Sequence, residues 1–153
     1  MTFLSQMVPH HAQAVQMAGL VAQRSDRTEL DEMAGTIVAT QGQEIDTMNT
    51  LLEEAGQEPA ATEMDGMAHG GHDGMSGMMT ADQLAELESL EGEAFDLMFL
   101  DLMTEHHQGA IESAQQVLDD GQNPQVTQLA EDIIDAQQAE IEQMATWRDA
   151  WSS

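Results

Sequence analysis

Apolar residues recur every three or four positions along four long stretches of the chain, which is the spacing of amphipathic helices. The first stretch runs from Phe3 to about Arg24, and Pro9 inside it should kink the helix or limit its first turn. The second runs to about Ala55 and stops before Gly56, a residue type that often ends helices. These two stretches predict one helical hairpin.

A second hairpin is predicted near the end of the sequence. Its first helix should run from about Glu93 to Asp120, where Gly121 is placed to end it. Its second helix follows Asn123 and Pro124, which supply an N-cap residue and a first-turn proline. No alternating strand pattern competes with these helices, so the fold class is all-α.

Two further helix starts carry the spacing of a capping box, in which two side chains satisfy the first free backbone groups. Asp26 with Glu29 marks the start of the second helix, and Thr80 with Gln83 opens a short extra helix. Between the end of the second helix and the start of the short helix, a glycine-rich segment without periodicity indicates a flexible linker. We therefore predict a single domain over 1–153, made of a hairpin over 1–56, a linker over 57–79, a short helix over 80–92 and a hairpin over 93–153.

The two hairpins are copies of one another. Met7, His10 and His11 recur 96 positions later as Met103, His106 and His107. The same offset relates the downstream residues Gln41, Glu44 and Met48 to Gln137, Glu140 and Met144. Duplicated hairpins predict a four-helix bundle, and the linker permits either a simple antiparallel return or a longer crossover.

The composition narrows the range of partners. The 153 residues suffice for one domain with a core. The chain has 29 acidic residues and 3 arginines, which gives a formal charge of -26. This charge argues against nucleic acid and anionic membranes as partners and attracts cations. A solvated acidic shell would explain the same charge. There is no cysteine, whereas methionine occurs 13 times, so soft metal ligation would have to come from methionine.

We expect this protein to act outside the cytoplasm, as a periplasmic, secreted or surface-anchored protein. No apolar run approaches the roughly 20 residues that a membrane span requires. Phe95-Asp96 precedes the second copy of the repeat, and the counterpart in the first copy would lie before Met1. An export signal or anchor is accordingly expected upstream of the sequence given.

Each histidine pair is best matched with the methionine before it. Adjacent helical residues point about 100° apart, so the two rings of one pair cannot easily hold one ion. Met7 and Met103 stand three and four residues before their histidines, on the same helix face. Thioether with imidazole suits Cu(I) or Ag(I), whereas hard cations prefer oxygen. Histidines hydrogen-bonded across the bundle, with methionines as core filler, are the alternative.

Polar residues also interrupt the apolar stripes of the second helix in each hairpin. Gln41 and Gln137 should be buried near the facing histidines, with Glu44 and Glu140 three residues on. They predict either a network that orients metal-binding imidazoles or a purely structural polar layer. Further ligands or supporting groups are expected among Met17, Met48 and Met144.

The linker carries a separate signal for metal. Its methionines and histidines stand among glycines and cannot belong to a helix stripe; they are Met64, Met67, His69, His72, Met75, Met78 and Met79. They predict a flexible capture segment for Cu(I), Ag(I), or Cu(II) through the histidines. A loop of drifting composition is the alternative.

Both copies of the Met-x-x-His-His motif resemble the signature of the domain of unknown function 305 family. The resemblance extends through the helices that carry Glu44 and Glu140 and covers nearly the whole chain apart from the linker. It implies a ferritin-like four-helix bundle, usually exported in bacteria, with copper-binding members linked to copper tolerance. Met17 has Ser113 as its counterpart, so two sites need not be equivalent.

These observations predict a non-enzymatic copper-binding protein for sequestration, tolerance or delivery, with a copper-handling protein as a further partner. One alternative is a ferritin-like di-iron or di-manganese oxidase. Such sites use Glu-x-x-His, and here Met7 and Met103 replace the glutamate. The other alternative is a metal-free acidic helical interaction module. The oligomeric state is left open by the sequence.

Overall fold

The computed structural model describes residues 2–62 and 75–153, and within these ranges it is helical with no β-strand. The helices are α1 (Thr2–Ala18), α2 (Val21–Arg24), α3 (Thr28–Glu54), α4 (Ala81–Ser89), α5 (Gly92–Asp120) and α6 (Pro124–Trp151). The predicted all-α class, the two long hairpins and the short extra helix are confirmed. The linker residues Met64, Met67, His69 and His72 lie outside the described residues.

Two apolar clusters fill the bundle, one toward each end. The first, which we call the Phe99 cluster, contains residues from the second half of α1, such as Met17, and from the first half of α5, such as Phe99. The Leu52 cluster takes the opposite halves, represented by Leu4 and Ala114. Therefore α1 and α5 run in opposite directions, although they are equivalent helices of the two copies.

The connection between the hairpins is a crossover. α3 ends beside the Leu52 cluster, and α5 begins beside the Phe99 cluster. Met75 still packs against the Leu52 cluster, whereas Met79 and Leu87 belong to the Phe99 cluster, so the chain has returned along the bundle before α5 begins. Hence α3 and α5 run in the same direction. This settles the choice that the linker left open and gives a ferritin-like bundle with one long crossover. The two hairpins are related by a pseudo-two-fold axis perpendicular to the bundle.

Several predicted helix ends are confirmed. Thr80 and Gln83 form the reciprocal capping box that begins α4. The side chain of Asn123 accepts hydrogen bonds from backbone N–H groups of the first turn of α6, one of them that of Gln125. Gly56 follows α3 with φ at +73°, a left-handed conformation that favours glycine.

The first hairpin differs from prediction at its turn. α1 passes through Pro9 and ends at Ala18, so the single helix expected to about Arg24 is wrong. Gly19, a poor helix former, lies at the break. The Asp26 capping box is also wrong, because α3 has Arg27 as its N-cap residue with no side-chain cap.

Arg27 instead ties the end of the bundle together. Its guanidinium bonds the buried carboxylate of Asp96 at 3.0 Å and stacks over the ring of Trp151 at 4.0 Å. This contact joins the start of α3 to α5 and α6. None of the described helices is both long and apolar enough to cross a membrane.

Candidate metal centre

Four histidines form a layer between the two apolar clusters. His10 and His11 on α1, and His106 and His107 on α5, are all at most 1% exposed. The rings of His10 and His106 stack with their centroids 3.7 Å apart and their planes 28° from parallel. Because these two residues are equivalent in the repeat, the stack lies at the pseudo-two-fold axis. We call these four residues the histidine layer.

In each hairpin, a glutamate of the second helix is hydrogen-bonded to one of the two histidines. We call these, His11 and His107, the outer histidines, and His10 and His106 the inner histidines. His11 Nε2 lies 2.6 Å from Glu44 Oε2, and His107 Nε2 lies 2.5 Å from Glu140 Oε2. The predicted contact between these glutamates and the histidines is confirmed in both copies. Each pair joins the two helices of its own hairpin.

Among the described residues, no hydrogen bond joins the two glutamines to the histidines, so the predicted network includes only the glutamates. Gln41 and Gln137 are buried as expected, each 3% exposed. Within the described ranges, however, both amide atoms of Gln41 and the Oε1 atom of Gln137 have no hydrogen-bond partner. The Nε2 atoms of His11 and His107 are already hydrogen-bonded to the glutamates, so they are not available to bond the glutamine amides.

Imidazole nitrogens are left without partners at the centre of the molecule. The Nδ1 atoms of all four histidines, and Nε2 of His106, are buried and have no hydrogen-bond partner in the part of the chain that the structure describes. A buried polar atom without a partner costs about 1–3 kcal/mol. Ligand binding at these atoms would recover that loss.

Burial keeps the inner histidines neutral. It lowers the pKa of His10 from 6.5 to about 3, with charge on His11 adding to the effect and the hydrogen bond to Ser76 opposing it. Burial also lowers the pKa of His106 well below its ordinary value, and His10 and His107 lower it further. Neutral imidazole is the form that binds metal.

The predicted thioether ligands lie on both sides of the histidine layer. Met7 and Met48 belong to the Leu52 cluster, whereas Met103, Met144 and Met17 belong to the Phe99 cluster, and all five are fully buried. Each copy therefore places its methionine, one helical turn before its histidine pair, on its own side of the layer.

The linker end from 75 to 79, which we call the strap, lies across the histidine layer. Ser76 O accepts a hydrogen bond from His10 Nε2 at 3.3 Å. Gln13 holds the strap through the backbone of Met79, accepting from its N–H at 2.9 Å and donating to its carbonyl at 3.1 Å. The strap is therefore bound to the bundle.

Three predicted metal ligands lie on the strap. Met79 is buried in the Phe99 cluster, and Met75 packs partly buried against the Leu52 cluster. Met78 is half-buried. Their part of the predicted capture segment is thus packed on the bundle, because the apolar side chains find a place in its two clusters.

Two glycines let the strap approach α5. A Cβ atom on Gly109 would lie 1.7 Å from Ser76 O, and one on Gly77 would lie 2.4 Å from Glu105 O. Gly77 also has φ at +82°. Only a residue without a side chain fits at these positions.

Sequence reasoning missed the residues that hold the strap. Gln13 and Gly109 occupy the same position of the repeat, 96 residues apart. A glutamine on the buried stripe of one copy and a glycine inside the helix of the other were the available signal. The difference breaks the symmetry of the two copies at the place where the strap crosses them.

The donor set argues for a soft metal. Within residues 2–62 and 75–153, no three His, Cys, Asp or Glu side chains come together as ligands for one ion. Each copy offers one imidazole–carboxylate pair and a neighbouring thioether. Sites for iron or manganese in such bundles need four carboxylates with two histidines.

Both glutamates are partly exposed, and Glu44 also lines a groove. It lies between α3 and α6, has a volume of about 540 Å³, and includes Thr40, Glu44 and Asp132 in its wall. The side chain of Glu44 is 13% exposed, whereas its partner His11 is fully buried. Glu44 therefore stands between solvent and the histidine layer.

A family model described as Domain of unknown function (DUF305) matches residues 1–148. This chain belongs to the DUF305 family. A curated relative, the uncharacterized protein L153 of Acanthamoeba polyphaga mimivirus, is 33% identical over 52 residues. The match spans 34% of this chain and 34% of that protein.

Solved structures resemble this DUF305 protein over almost its full length. A Streptomyces coelicolor DUF305 protein, presumed to be secreted, has a TM-score of 0.87 at 28% identity, covering 99% of this chain and 93% of its own. CopM in its Cu(I)-bound form has a TM-score of 0.81 at 29% identity, covering 99% and 96%. Its Cu(II)-bound form gives 0.83 at 34% identity, covering 97% and 95%. CopM has also been solved with silver bound.

Proposed function

We propose that this DUF305 protein binds copper, chiefly Cu(I), and sequesters or delivers it outside the cytoplasm without catalysing a reaction. Ag(I) and, through the linker histidines, Cu(II) are further ions of this proposal. The observation that carries it is the duplicated, fully buried turn in which Met7 precedes His10 and His11, and Met103 precedes His106 and His107. The Nδ1 atoms of its four histidines, and Nε2 of His106, lack partners in the described structure.

Three features support copper as the cargo. Thioether and neutral imidazole are the donors that Cu(I) prefers. The strongly acidic surface attracts cations to the protein. CopM, which resembles this chain over nearly its whole length, has been solved with Cu(I), Cu(II) and silver.

The proposed location outside the cytoplasm has separate support. The chain contains no cysteine, so its soft donors do not depend on a reducing compartment. The Streptomyces relative is presumed to be secreted. A copper-handling protein that receives the ion is the partner that delivery would require.

A competition experiment tests the proposal. Under anaerobic, reducing conditions at neutral pH, the protein should withdraw Cu(I) from a chromophoric chelator. Replacing both Met7 and Met103 with leucine, which keeps the side-chain volume, should weaken binding at least about tenfold, or about 1.4 kcal/mol. Met33→Leu is the matched control, because Met33 is only partly buried and far along α3 from the histidines. Failure of the wild-type protein to compete would refute copper binding.

The linker is tested separately. Replacing Met64, Met67, His69 and His72 with serine alters none of the residues that the structure describes. If the bundle is the main site, this variant keeps its tightest Cu(I) binding and loses only weaker sites. The reverse result would assign the main site to the linker.

The di-metal oxidase remains the second candidate, because Glu44 and Glu140 lie beside buried histidines in a ferritin-like bundle. It requires bound iron or manganese after growth in those metals, together with oxidation of Fe(II) by oxygen. Metal analysis and a ferroxidase assay distinguish it from a copper carrier.

A further inference from the structure

In three of the four histidines of the layer, a hydrogen bond indicates which nitrogen of the neutral ring carries the hydrogen. A neutral imidazole has one N–H donor and one nitrogen with a free lone pair. The Nε2 atoms of His11 and His107 face carboxylate oxygens of Glu44 and Glu140 at 2.6 and 2.5 Å. An ionised carboxylate only accepts, so each of these Nε2 atoms must donate.

The inner histidine of the first copy shows the same arrangement. His10 Nε2 faces the carbonyl oxygen of Ser76, which can only accept. In the neutral form, which is the form that binds metal, three of the four rings therefore carry hydrogen on Nε2. Their lone pair lies on Nδ1, which is buried and has no partner among the described residues.

The outer histidines share a helix face with the methionines. Met7 stands four residues before His11, and Met103 four residues before His107. Helical side chains lean toward the N-terminus of their helix, so residues four apart share one surface patch. Both methionines are fully buried, as are both histidines.

We propose that the soft metal ion is bound through Nδ1 of His11 and of His107, one site in each copy, with Glu44 and Glu140 as positioning residues that hold hydrogen on Nε2. This inference rests on the proposed copper binding and adds the ligating atom to it. A carboxylate on the far nitrogen of a metal-bound imidazole sets ring orientation and raises its basicity as a ligand.

The two inner histidines do not share this environment. His10 donates to a backbone carbonyl, and within the described ranges neither nitrogen of His106 is hydrogen-bonded to a carboxylate. Neither ring is held by a carboxylate. The outer pair is therefore the one built alike in both copies, and two equivalent ions per bundle are expected.

Nuclear magnetic resonance of isotope-labelled imidazole nitrogens tests the inference. In the metal-free protein, long-range nitrogen–proton correlations should show hydrogen on Nε2 of His11 and His107. With Ag(I) bound, the magnetic silver nucleus couples directly to the nitrogen that binds it. Coupling should appear on Nδ1 of both rings, while Nε2 keeps its hydrogen.

Variants separate positioning from simple structural support. Glu140→Ala should give a mixture of tautomers at His107 and weaken one of the two sites by about 10- to 100-fold. Glu140→Gln retains an oxygen acceptor and should restore most of the tautomer and the affinity. His11, in the other copy, reports whether the fold is intact. Glu142→Ala removes an exposed glutamate of the same helix and should change neither.

The outcomes are distinguishable. Silver coupling on Nε2, or an unchanged His107 tautomer and affinity in Glu140→Ala, overturns this inference while leaving metal binding in place. Absence of any silver or copper binding overturns the proposed function, and the inference falls with it.

Discussion

The equivalent histidines of the two copies, His10 and His106, stack on each other at a centroid distance of 3.7 Å. Both are fully enclosed, and burial lowers the pKa of each, that of His10 to about 3. A proton on either ring therefore lowers the stability of the folded protein.

Stability should depend on pH through this stack. Between pH 6.5 and about 3 the unfolded chain binds a proton at His10 that the folded protein excludes. The free energy of unfolding consequently falls as the pH drops through this window, by up to about 1.4 kcal/mol per pH unit for each such histidine. Urea unfolding of wild type and His10→Gln at several pH values measures it. Subtracting the two profiles removes the shared carboxylates, and identical slopes would contradict the prediction.

Gly109→Ala should release the strap. The new Cβ would lie 1.7 Å from Ser76 O, a backbone atom that can move only with the strap. We expect the free energy of unfolding to fall by about 1–3 kcal/mol. Gly42→Ala is the matched control, because it lies inside α3 with nothing within 4 Å of its Cβ position. That change should stabilise the protein by about 0.5–1 kcal/mol.

Gln13→Ala should loosen the same segment from the other side. It removes both hydrogen bonds to the backbone of Met79, which lies buried. Hydrogen exchange at the Met79 amide should accelerate about tenfold or more, as expected when about 1.4 kcal/mol of local stability is lost. Unchanged exchange there, with a folded bundle, would show that apolar packing alone holds the strap.

Two ion pairs should differ in their contribution to stability. Arg27 bonds Asp96, whose side chain is only 3% exposed, so Arg27→Ala leaves a buried carboxylate unpaired. We expect a loss of about 2–4 kcal/mol, part of the full effect of breaking a buried pair because Arg27 itself is partly exposed. Arg148 bonds Asp101 on the surface, where both side chains are more than a third exposed. Arg148→Ala should leave the denaturation midpoint close to that of wild type.

The repeat explains why much of this site is predictable from sequence. Apolar stripes predict the long helices, and the polar breaks at Gln41 and Gln137, with Glu44 and Glu140 three residues on, predict a polar layer beside the histidines. Residues four apart on one helix need no tertiary information to be placed together. The stripe does not show that the glutamates, and not the glutamines, are the residues that bond the rings.

Tertiary features were beyond the sequence for physical reasons. The direction of α5 relative to α3 depends on where the linker ends, and a linker without periodicity carries no such information. The strap depends on backbone contacts with Gln13 and Gly109, and a single glutamine or glycine does not show which distant segment it contacts. Arg27, at the N-cap position of α3, gives no side-chain cap and instead bonds Asp96, a residue distant in sequence.

The opposite course of α1 and α5 gives the molecule the geometry of an isologous homodimer whose two subunits have been joined into one chain. In such an interface a residue on the axis meets its own copy, as His10 meets His106. A substitution at that position has to suit itself as well as its surroundings. In a single chain, equivalent positions that contact the connecting segment need not be identical. Gln13 and Gly109 differ in this way, because Gln13 bonds the strap and Gly109 leaves room for it.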